Sequence, residues 1–169
     1  MKVKVKKISD KAVLPYKKYE EDFCYDVVAT SCEEVAPNVY KYGLGLAFQI
    51  EREYKTVLEG YRAGTGAYYI TKEIDMRISP LNLSLDFRPR SSVWQTGMVL
   101  SNCEGTIAEV YTGEVSAVFY HIMPNMPKYE VGDRIGQIKI GVTFPIEFVE
   151  VEELDKTARG EGGYGSTGR

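Results

Sequence analysis

The C-terminal stretch 159–169 combines glycines with side chains that suit a phosphorylated ligand. Closely spaced glycines let backbone amides converge on an anion, and Arg159 can hold a phosphate through two parallel hydrogen bonds. Ser166 and Thr167 add hydroxyl donors, while Tyr164 offers a flat face for stacking. A flexible linker is the alternative interpretation of a Gly-rich terminus, although a linker needs neither the arginine nor the aromatic ring. Because the stretch has little apolar surface to bury, we expect it to be mobile without a ligand.

Two further stretches could contact phosphate. The run Arg88-Pro-Arg-Ser-Ser92 follows a strand-like segment and predicts a short helix from Ser91, where free amides and the helix dipole would attract an anion. An ordinary serine-capped helix start is its alternative interpretation. The run Gly132-Asp-Arg-Ile-Gly-Gln137 predicts a turn that leads into a strand, with Arg134 and Gln137 near its beginning. By itself this run is weak evidence, because Gly-Asp turns before strands are common.

The stretch 102–115 predicts a β-hairpin. Gly105 and Gly113 bracket several β-branched residues, and Val115 opens a second apolar run, so two strands are expected to meet here. Tyr111 lies near the expected turn. In a chain with 13 tyrosines, the alternative is that Tyr111 is only a cross-strand packing residue.

Strand-like segments make up most of the rest of the chain. Alternating apolar residues, bounded by Gly or Pro, predict an all-β antiparallel sandwich or barrel with one short helix. Residues 51–66 are polar and predict an exposed excursion. Strands are expected at 2–8, 25–29, about 39–50, about 67–78, 81–87, 135–140 and 146–151.

Length and composition favour one intracellular domain. The 169 residues can bury a sizeable core without disulfide staples. Three cysteines with neither CxxC spacing nor a histidine cluster predict reduced thiols and argue against a zinc site. A net charge of -3 does not suggest nucleic-acid binding. No apolar run reaches the roughly 18 residues of a membrane span, and no export signal is evident, so we expect no membrane association and a cytoplasmic location.

Taken together, the motifs resemble those of the trimeric dUTP diphosphatases, the dUTPases. The resemblance spans most of the chain outside residues 51–80 and is closest in the last two motifs. It is partial in the first, because Phe23-Cys24 stand where the family usually has Ala-Gly. The matching stretches are Tyr25-Asp26-Val-Val-Ala29, Arg90-Ser91-Ser92, Gly105-Thr-Ile-Ala-Glu-Val-Tyr111 with Gly113-Glu-Val115, Gly132-Asp-Arg-Ile-Gly-Gln137 and Arg159-Gly-Glu-Gly-Gly-Tyr-Gly-Ser-Thr-Gly168.

The resemblance implies a jelly-roll-like β fold, a homotrimer, and active sites built at subunit boundaries. It implies hydrolysis of dUTP to dUMP and pyrophosphate with Mg²⁺, by attack of water on the α-phosphorus. On this basis residues 1–154 form one β domain with an insertion at about 51–80. Residues 155–169 form a mobile arm that closes over the bound nucleotide.

The resemblance also assigns roles by position. Tyr111 would pack against the deoxyribose, and the backbone of residues 102–107 would read uracil. Tyr164 would stack on uracil in place of the family's usual Phe. Asp26 would bind Mg²⁺ through water, the ion being held chiefly by phosphate oxygens. Further substrate contacts are expected at Arg90, Ser91, Ser92, Asn102, Gly105, Thr106, Ile107, Gln137, Arg159, Gly165, Ser166 and Thr167.

One position departs from the family. Its third motif reads Gly-x-Ile-Asp, and that aspartate is the general base for the attacking water, whereas this chain has Ala108. An alanine accepts no proton, and general-base assistance is worth about 10²–10⁴-fold in rate, so impaired turnover is expected. Three interpretations stay open, in this order: a deliberate Asp→Ala substitution that traps substrate, a natural non-catalytic relative, and rescue by Glu109. Rescue comes last because neighbouring strand residues point to opposite faces.

Two other functions stay open. A regulatory protein could use dUTP as a ligand and residues 51–80 as a docking surface for a protein partner, as some phage members of the family do. The insertion could equally be a simple surface excursion. A dCTP deaminase would share the fold and an Arg-Ser-Ser motif, but it lacks the Gly-rich tail, and its glutamate has no counterpart in Ser116-Ala-Val-Phe-Tyr120. If a phage encodes the chain, the expected location is the host cytoplasm.

Overall fold

The computed structural model describes residues 1–52, 54–62, 68–77 and 81–162, with side chains described in 1–52 and 81–162. The regular elements of these residues are strands and one short 3₁₀ helix. The strands are β1 (Lys2–Lys7), β2 (Tyr25–Val28), β3 (Ser31–Ala36), β4 (Val39–Glu51), β5 (Tyr54–Arg62), β6 (Tyr68–Arg77), β7 (Asn82–Arg88), β8 (Met98–Leu100), β9 (Gly105–Ala108), β10 (Glu114–His121) and β11 (Arg134–Thr143), and the 3₁₀ helix is Ser91–Gln95. The predicted all-β fold with one short helix is confirmed.

Most strands belong to two antiparallel sheets. The first has the order β1-β4-β10-β8, with β3 also pairing to β4. The second has the order β2-β11-β7-β9. In the described part of the chain, β5 and β6 pair with each other as a separate two-stranded sheet. This order puts β2 and β9 at opposite edges of the second sheet.

Apolar side chains from both sheets share one core. Leu44 and Leu46 on β4 are buried, as their alternation predicted. Beside them, the rings of Tyr42 and Phe119 lie edge to face with centroids 5.9 Å apart. Burial raises the pKa of Tyr42. Its hydroxyl therefore stays protonated and donates to the carbonyl oxygen of Tyr129 at 2.9 Å.

Gly45 on β4 permits a close approach of neighbouring segments. Gly45 has a φ of +63°, and a Cβ there would lie 2.9 Å from both Ser9 Cβ and Thr30 Oγ1. Any larger residue would meet both a strained backbone and a steric clash.

The predicted hairpin at 102–115 is wrong. β9 pairs with β7 in the second sheet, whereas β10 pairs with β4 and β8 in the first. Residues 109–113 therefore cross from one sheet to the other. Local composition indicated the two strands, but their partners are distant in sequence, and a short-range pattern does not select distant partners.

The strand predictions also need correction elsewhere. Residues 146–151 form no strand within the chain, and Phe148 in this segment is 90% exposed. A strand exists only where it pairs, and this segment has no partner in the described chain.

β5 lies within the predicted excursion 51–66. It joins neither main sheet, so its sequence needs no core-facing alternation. β3 and β8 were not predicted, because β3 is exposed throughout and β8 has only 3 residues.

The predicted helix is a 3₁₀ turn of 5 residues. Arg90 is its N-cap residue and makes no side-chain cap hydrogen bond, so the predicted capping role of a serine is wrong. A single 3₁₀ turn aligns few peptide dipoles. We therefore assign it no anion site of its own.

The cysteines Cys24, Cys32 and Cys103 are free thiols. In the described ranges, no helix has both the length and the apolar character to cross a membrane.

Candidate functional site

A buried carboxylate on β2 collects several donors. The side chain of Asp26 is 8% exposed, and its Oδ1 accepts from Arg90 Nε at 3.2 Å and from Gln137 Nε2 at 3.0 Å. Its Oδ2 accepts from Arg134 Nη1 at 3.0 Å. Backbone hydrogen bonds of 2.7 and 3.2 Å between Asp26 and Tyr16 hold the strand here. A buried charge needs such partners. The three donors are therefore fixed around one carboxylate.

An irregularity in β11 brings Arg134 to this cluster. In a regular strand, residues 134 and 137 would point to opposite faces, because their separation is odd. The ladder between β11 and β2 shifts register between Arg134 and Gly136, so that Gln137 lies opposite Asp26 while Arg134 pairs with Val28. Such a bulge re-aims a side chain. It lets Arg134 and Gln137 contact the same carboxylate.

The Asp26 cluster lies in an open cavity of about 360 Å³. Positive lining side chains, Lys18, Arg90 and Arg134, outnumber the negative ones, Asp22 and Asp26. The other lining residues are Tyr19, Phe23, Cys24 and Gln137. An excess of fixed cations next to an amide donor is suited to a phosphate group.

The second predicted phosphate motif lies beside the same cavity. Arg90 Nη1 is 3.5 Å from Ser92 Oγ, and Ser91 begins the 3₁₀ helix immediately after Arg90. Arg90 is thus held between Asp26 and Ser92. The structure therefore brings together Asp26, Arg90, Ser92 and Gln137, which come from three of the sequence motifs.

The third motif lies elsewhere in the subunit. Along β9, Thr106 and Ala108 are exposed, whereas Ile107 packs against the core. Asn102 reaches back to the start of this strand, where its Nδ2 would be 3.7 Å from a Cβ on Gly105. The predicted uracil-reading segment thus presents Thr106, Ala108 and the Asn102 side chain to solvent.

Tyr111 is half exposed and folds over its own loop. Its hydroxyl donates to the carbonyl oxygen of Glu114 at 3.0 Å, and a Cβ on Gly113 would lie 2.5 Å from that hydroxyl. Gly113 is therefore required for this placement of the ring. The exposed fraction of Tyr111 is 48%, so the ring remains accessible to a ligand.

The two halves of the predicted site do not meet within one subunit. Asp26 is on edge strand β2 and Ala108 on edge strand β9, with β11 and β7 between them. Three strand spacings separate these edges by about 14 Å. Within one subunit, the basic cavity and the Ala108–Tyr111 segment are separate surfaces.

The tail contributes no described contact to the cavity. The Nε of Arg159 donates to the carbonyl oxygen of Gly162 at 2.8 Å, within the tail itself. The predicted contacts of Tyr164, Gly165, Ser166 and Thr167 lie outside the described residues.

The cavity does not form a protein-held magnesium site. Each Asp26 oxygen already accepts from a protein donor, and those donors include two guanidinium groups. Among the described side chains, no group of three or more His, Cys, Asp or Glu residues could hold a metal ion. Direct coordination by Asp26 does not fit this arrangement, whereas the predicted contact of Asp26 with Mg²⁺ through water stays a prediction. Within the chain, Asp26 fixes Arg90, Arg134 and Gln137.

A second buried ion pair lies next to β9. Asp86 on β7 accepts from Lys139 Nζ at 2.6 Å and from Ser84 Oγ at 2.7 Å. Burial opposes the charge of Asp86, but the hydrogen bonds from Lys139 and Ser84 and the nearby positive charges outweigh it and lower its pKa below 3.8. In the ladder, Asp86 lies opposite Thr106, and Ser84 lies opposite Ala108. This pair thus supports the strand that carries the third motif.

Two basic cavity residues, Arg134 and Lys18, were absent from the predicted substrate contacts. The sequence places Arg134 near the start of a strand, where regular alternation would point it away from Gln137. The bulge that re-aims Arg134 has no signature in the local sequence. Lys18 lies in a charged loop with no motif, so nothing in its local sequence indicated it.

Comparison with known proteins identifies the family. The sequence model of the dUTPase family matches residues 63–168. A deoxyuridine 5'-triphosphate nucleotidohydrolase of Helicobacter pylori strain 26695 is 30% identical over 172 residues, which cover 99% of this chain and 97% of the relative. The corresponding protein of Nautilia profundicola is 29% identical and covers 100% of both chains. The chain belongs to the dUTPase family.

Solved structures agree on the fold. A variant dUTPase of Staphylococcus bacteriophage 80alpha, solved with dUpNHpp, superposes with a TM-score of 0.68 at 20% identity and covers 99% of both chains. The dUTPase from phage phi11 of S. aureus, described for its species-specific insert, gives a TM-score of 0.61 at 16% identity and covers 93% of this chain and 100% of its own.

Proposed function

We propose that this protein is a dUTP-hydrolysing enzyme. It binds dUTP and converts it to dUMP and pyrophosphate by attack of water on the α-phosphorus. The observation that carries the proposal is the convergence of Arg90, Arg134 and Gln137 on Asp26 in one basic cavity, in a chain of the dUTPase family. The two arginines and the amide of Gln137 would hold the triphosphate. Magnesium, which the family typically uses, would be held chiefly by the phosphate oxygens, because the described side chains offer it no group of three or more ligands.

We further propose that turnover is impaired in this chain, because Ala108 stands where the family has its water-activating aspartate. Two neighbouring carboxylates are poor substitutes. Glu109 accepts from Arg52 Nε at 2.7 Å and from the Leu83 amide at 3.2 Å, so it is already bonded. Asp86 has a lowered pKa through Lys139, which makes it a weak base. Binding would therefore be retained while proton abstraction is lost.

We propose a homotrimer, as the separation of the two half-sites supports. A ligand that contacts both the basic cavity and Tyr111 needs a second subunit to supply one of them, because β2 and β9 are opposite edges of one sheet. Exposed apolar side chains on the segment 144–151 also favour self-association: Phe144 is 74% exposed, Ile146 73% and Val149 70%. A strand-like segment without a partner among the described residues is suited to pairing with a neighbouring copy.

The binding step is tested by calorimetric titration of the unchanged protein with dUTP, dCTP and UTP in the presence of Mg²⁺. We expect tight binding of dUTP and much weaker binding of the other two. Preferential binding of dCTP with release of ammonia would overturn the proposal in favour of a deaminase. The deaminase is disfavoured, because its glutamate has no counterpart in Ser116-Ala-Val-Phe-Tyr120. The glutamate at the start of the same strand, Glu114, already accepts from the Gly45 amide at 2.8 Å.

Gln137→Glu is predicted to weaken dUTP binding about 100-fold, because it adds a negative charge beside Asp26 and in the path of the phosphates. The carboxylate would replace an amide that lies 3.0 Å from Asp26 Oδ1. Titration calorimetry with dUTP measures the change. Gln137→Ala is the control, since it removes the contact without adding charge and should lose much less affinity. Equal affinities for the two variants would contradict a phosphate-binding role for the cavity.

Deletion of residues 159–169 is predicted to weaken dUTP binding by at least about 30-fold. The deletion removes the contacts that Arg159 and Tyr164 would make with the nucleotide. Light scattering should give a mass of three subunits before and after the deletion. Unchanged affinity would show that residues 155–169 are a linker and not an arm that closes over the nucleotide. Dissociation of the assembly would assign the tail a structural role instead.

A second candidate is a regulatory dUTP-binding protein with the same cavity but no turnover. It is supported by Ala108 together with the separate β5–β6 sheet, which would provide a surface for a protein partner. For either function we propose a cytoplasmic location, or the host cytoplasm if a phage encodes the chain.

A further inference from the structure

A single guanidinium group ties the base of the β5–β6 hairpin to the segment after β9. Arg52 lies between β4 and β5, and its Nε donates to Glu109 Oε1 at 2.7 Å while its Nη2 bonds to Glu109 Oε2. The Nη1 of the same group donates to the carbonyl oxygen of Leu81 at 2.6 Å. Leu81 precedes β7 on the return side of the hairpin. Arg52 therefore contacts both Leu81, before β7, and Glu109, after β9.

The Arg52–Glu109 ion pair is poorly exposed, so it constrains side-chain geometry more than a surface ion pair does. The side chains of Arg52 and Glu109 are 8% and 16% exposed, and Glu109 Oε2 also accepts from the Leu83 amide at 3.2 Å. The adjacent pair between Lys4 and Glu51 is 64% and 40% exposed. Bidentate, poorly solvated arginine–carboxylate pairs fix geometry, whereas exposed lysine pairs contribute little.

Glu109 is the second residue of the turn that ends β9. The Tyr111 amide donates to the carbonyl oxygen of Ala108 at 2.9 Å and closes this turn. A change in the Glu109 backbone would therefore move Ala108 on one side and Tyr111 on the other. The Glu109 side chain is in turn held by hydrogen bonds from Arg52 and from the Leu83 amide to its carboxylate.

We propose that Arg52 and Glu109 form a positioning pair for the nucleotide site. The pair holds the 108–111 turn so that the Tyr111 ring lies where it excludes a 2'-hydroxyl and so that residue 108 faces the reacting phosphate. This role rests on the proposed dUTP-binding function. Because both ends of the hairpin reach the pair, a displacement of the hairpin base would also alter sugar discrimination at Tyr111.

The test compares Glu109→Gln and Arg52→Lys with the unchanged protein. Glu109→Gln keeps the size of the side chain and one acceptor oxygen, and Arg52→Lys keeps the charge but loses the forked geometry. We expect each to lower the preference for dUTP over UTP about 10-fold, measured as the ratio of the two dissociation constants. Lys4→Met is the matched control and should leave the ratio unchanged. A general loss of stability would weaken binding of both nucleotides alike and leave the ratio intact.

A second measurement needs no nucleotide. Hydrogen exchange at the Tyr111 amide should become faster in Glu109→Gln and stay unchanged in Lys4→Met. If dUTP binds normally but neither the exchange rate nor the nucleotide ratio changes in Glu109→Gln, the positioning role is wrong. If the unchanged protein does not bind dUTP, the proposed function fails. The positioning of the turn is then confirmed by faster exchange or overturned by unchanged exchange.

Discussion

We expect the Ala108→Asp variant to hydrolyse dUTP about 10²- to 10⁴-fold faster than the unchanged protein. Ala108 is exposed at the end of β9, so an aspartate there can reach a bound water without disturbing the core. Release of pyrophosphate with dUTP and Mg²⁺ measures the rate. The dissociation constant for dUTP should change little, because the substitution adds a base and removes no binding contact.

Two comparisons sharpen this result. Ala108→Asn is nearly isosteric with the aspartate but accepts no proton at neutral pH, so its rate should stay at the level of the unchanged protein. In the unchanged background, a further loss of residual activity in Glu109→Gln that Arg52→Lys does not share would identify Glu109 as a substitute base, because a loss of positioning would affect both variants. No turnover in Ala108→Asp together with tight dUTP binding would favour the regulatory protein over the enzyme.

We expect Lys139→Met to destabilise the fold by about 3 kcal/mol, because it leaves the carboxylate of Asp86 buried without its cation. The side chains of Lys139 and Asp86 are 18% and 9% exposed, and they are joined at 2.6 Å. Urea unfolding at one fixed protein concentration measures the change, since an oligomer's apparent stability depends on concentration. Lys4→Met removes an exposed pair and should cost less than about 1 kcal/mol.

The stability difference between the unchanged protein and Lys139→Met should depend on pH in a defined direction. The folded pKa of Asp86 is lowered, so its pairing stabilises the native state above the unfolded value of about 4 and is lost as the pH falls through the folded pKa. In Lys139→Met, protonation of Asp86 relieves a buried charge. The stability difference between the two proteins should therefore shrink below about pH 4. The double variant with Asp86→Leu should regain much of the loss, and a difference that is independent of pH would contradict the assigned ion pair.

The sequence by itself determined the family and the all-β class. The resemblance to the dUTPase motifs selected Asp26, Arg90 and Gln137 as one predicted set, and the structure places these three side chains in contact. Period-2 alternation predicted β4 and β7, because apolar side chains of each strand pack in the core. The alternation failed for β3, which is exposed throughout, and for β5, which pairs outside the two main sheets.

Only the tertiary structure decided how these pieces meet. The choice of strand partners, which put β9 and β10 in different sheets, depends on contacts between segments far apart in the chain. Arg134 reaches Asp26 through a bulge that no local pattern encodes. Arg52 reaches Glu109 across 57 positions of sequence. Such contacts come from packing and charge pairing between distant segments, so a local sequence pattern can indicate residue types but not the geometry that arranges them.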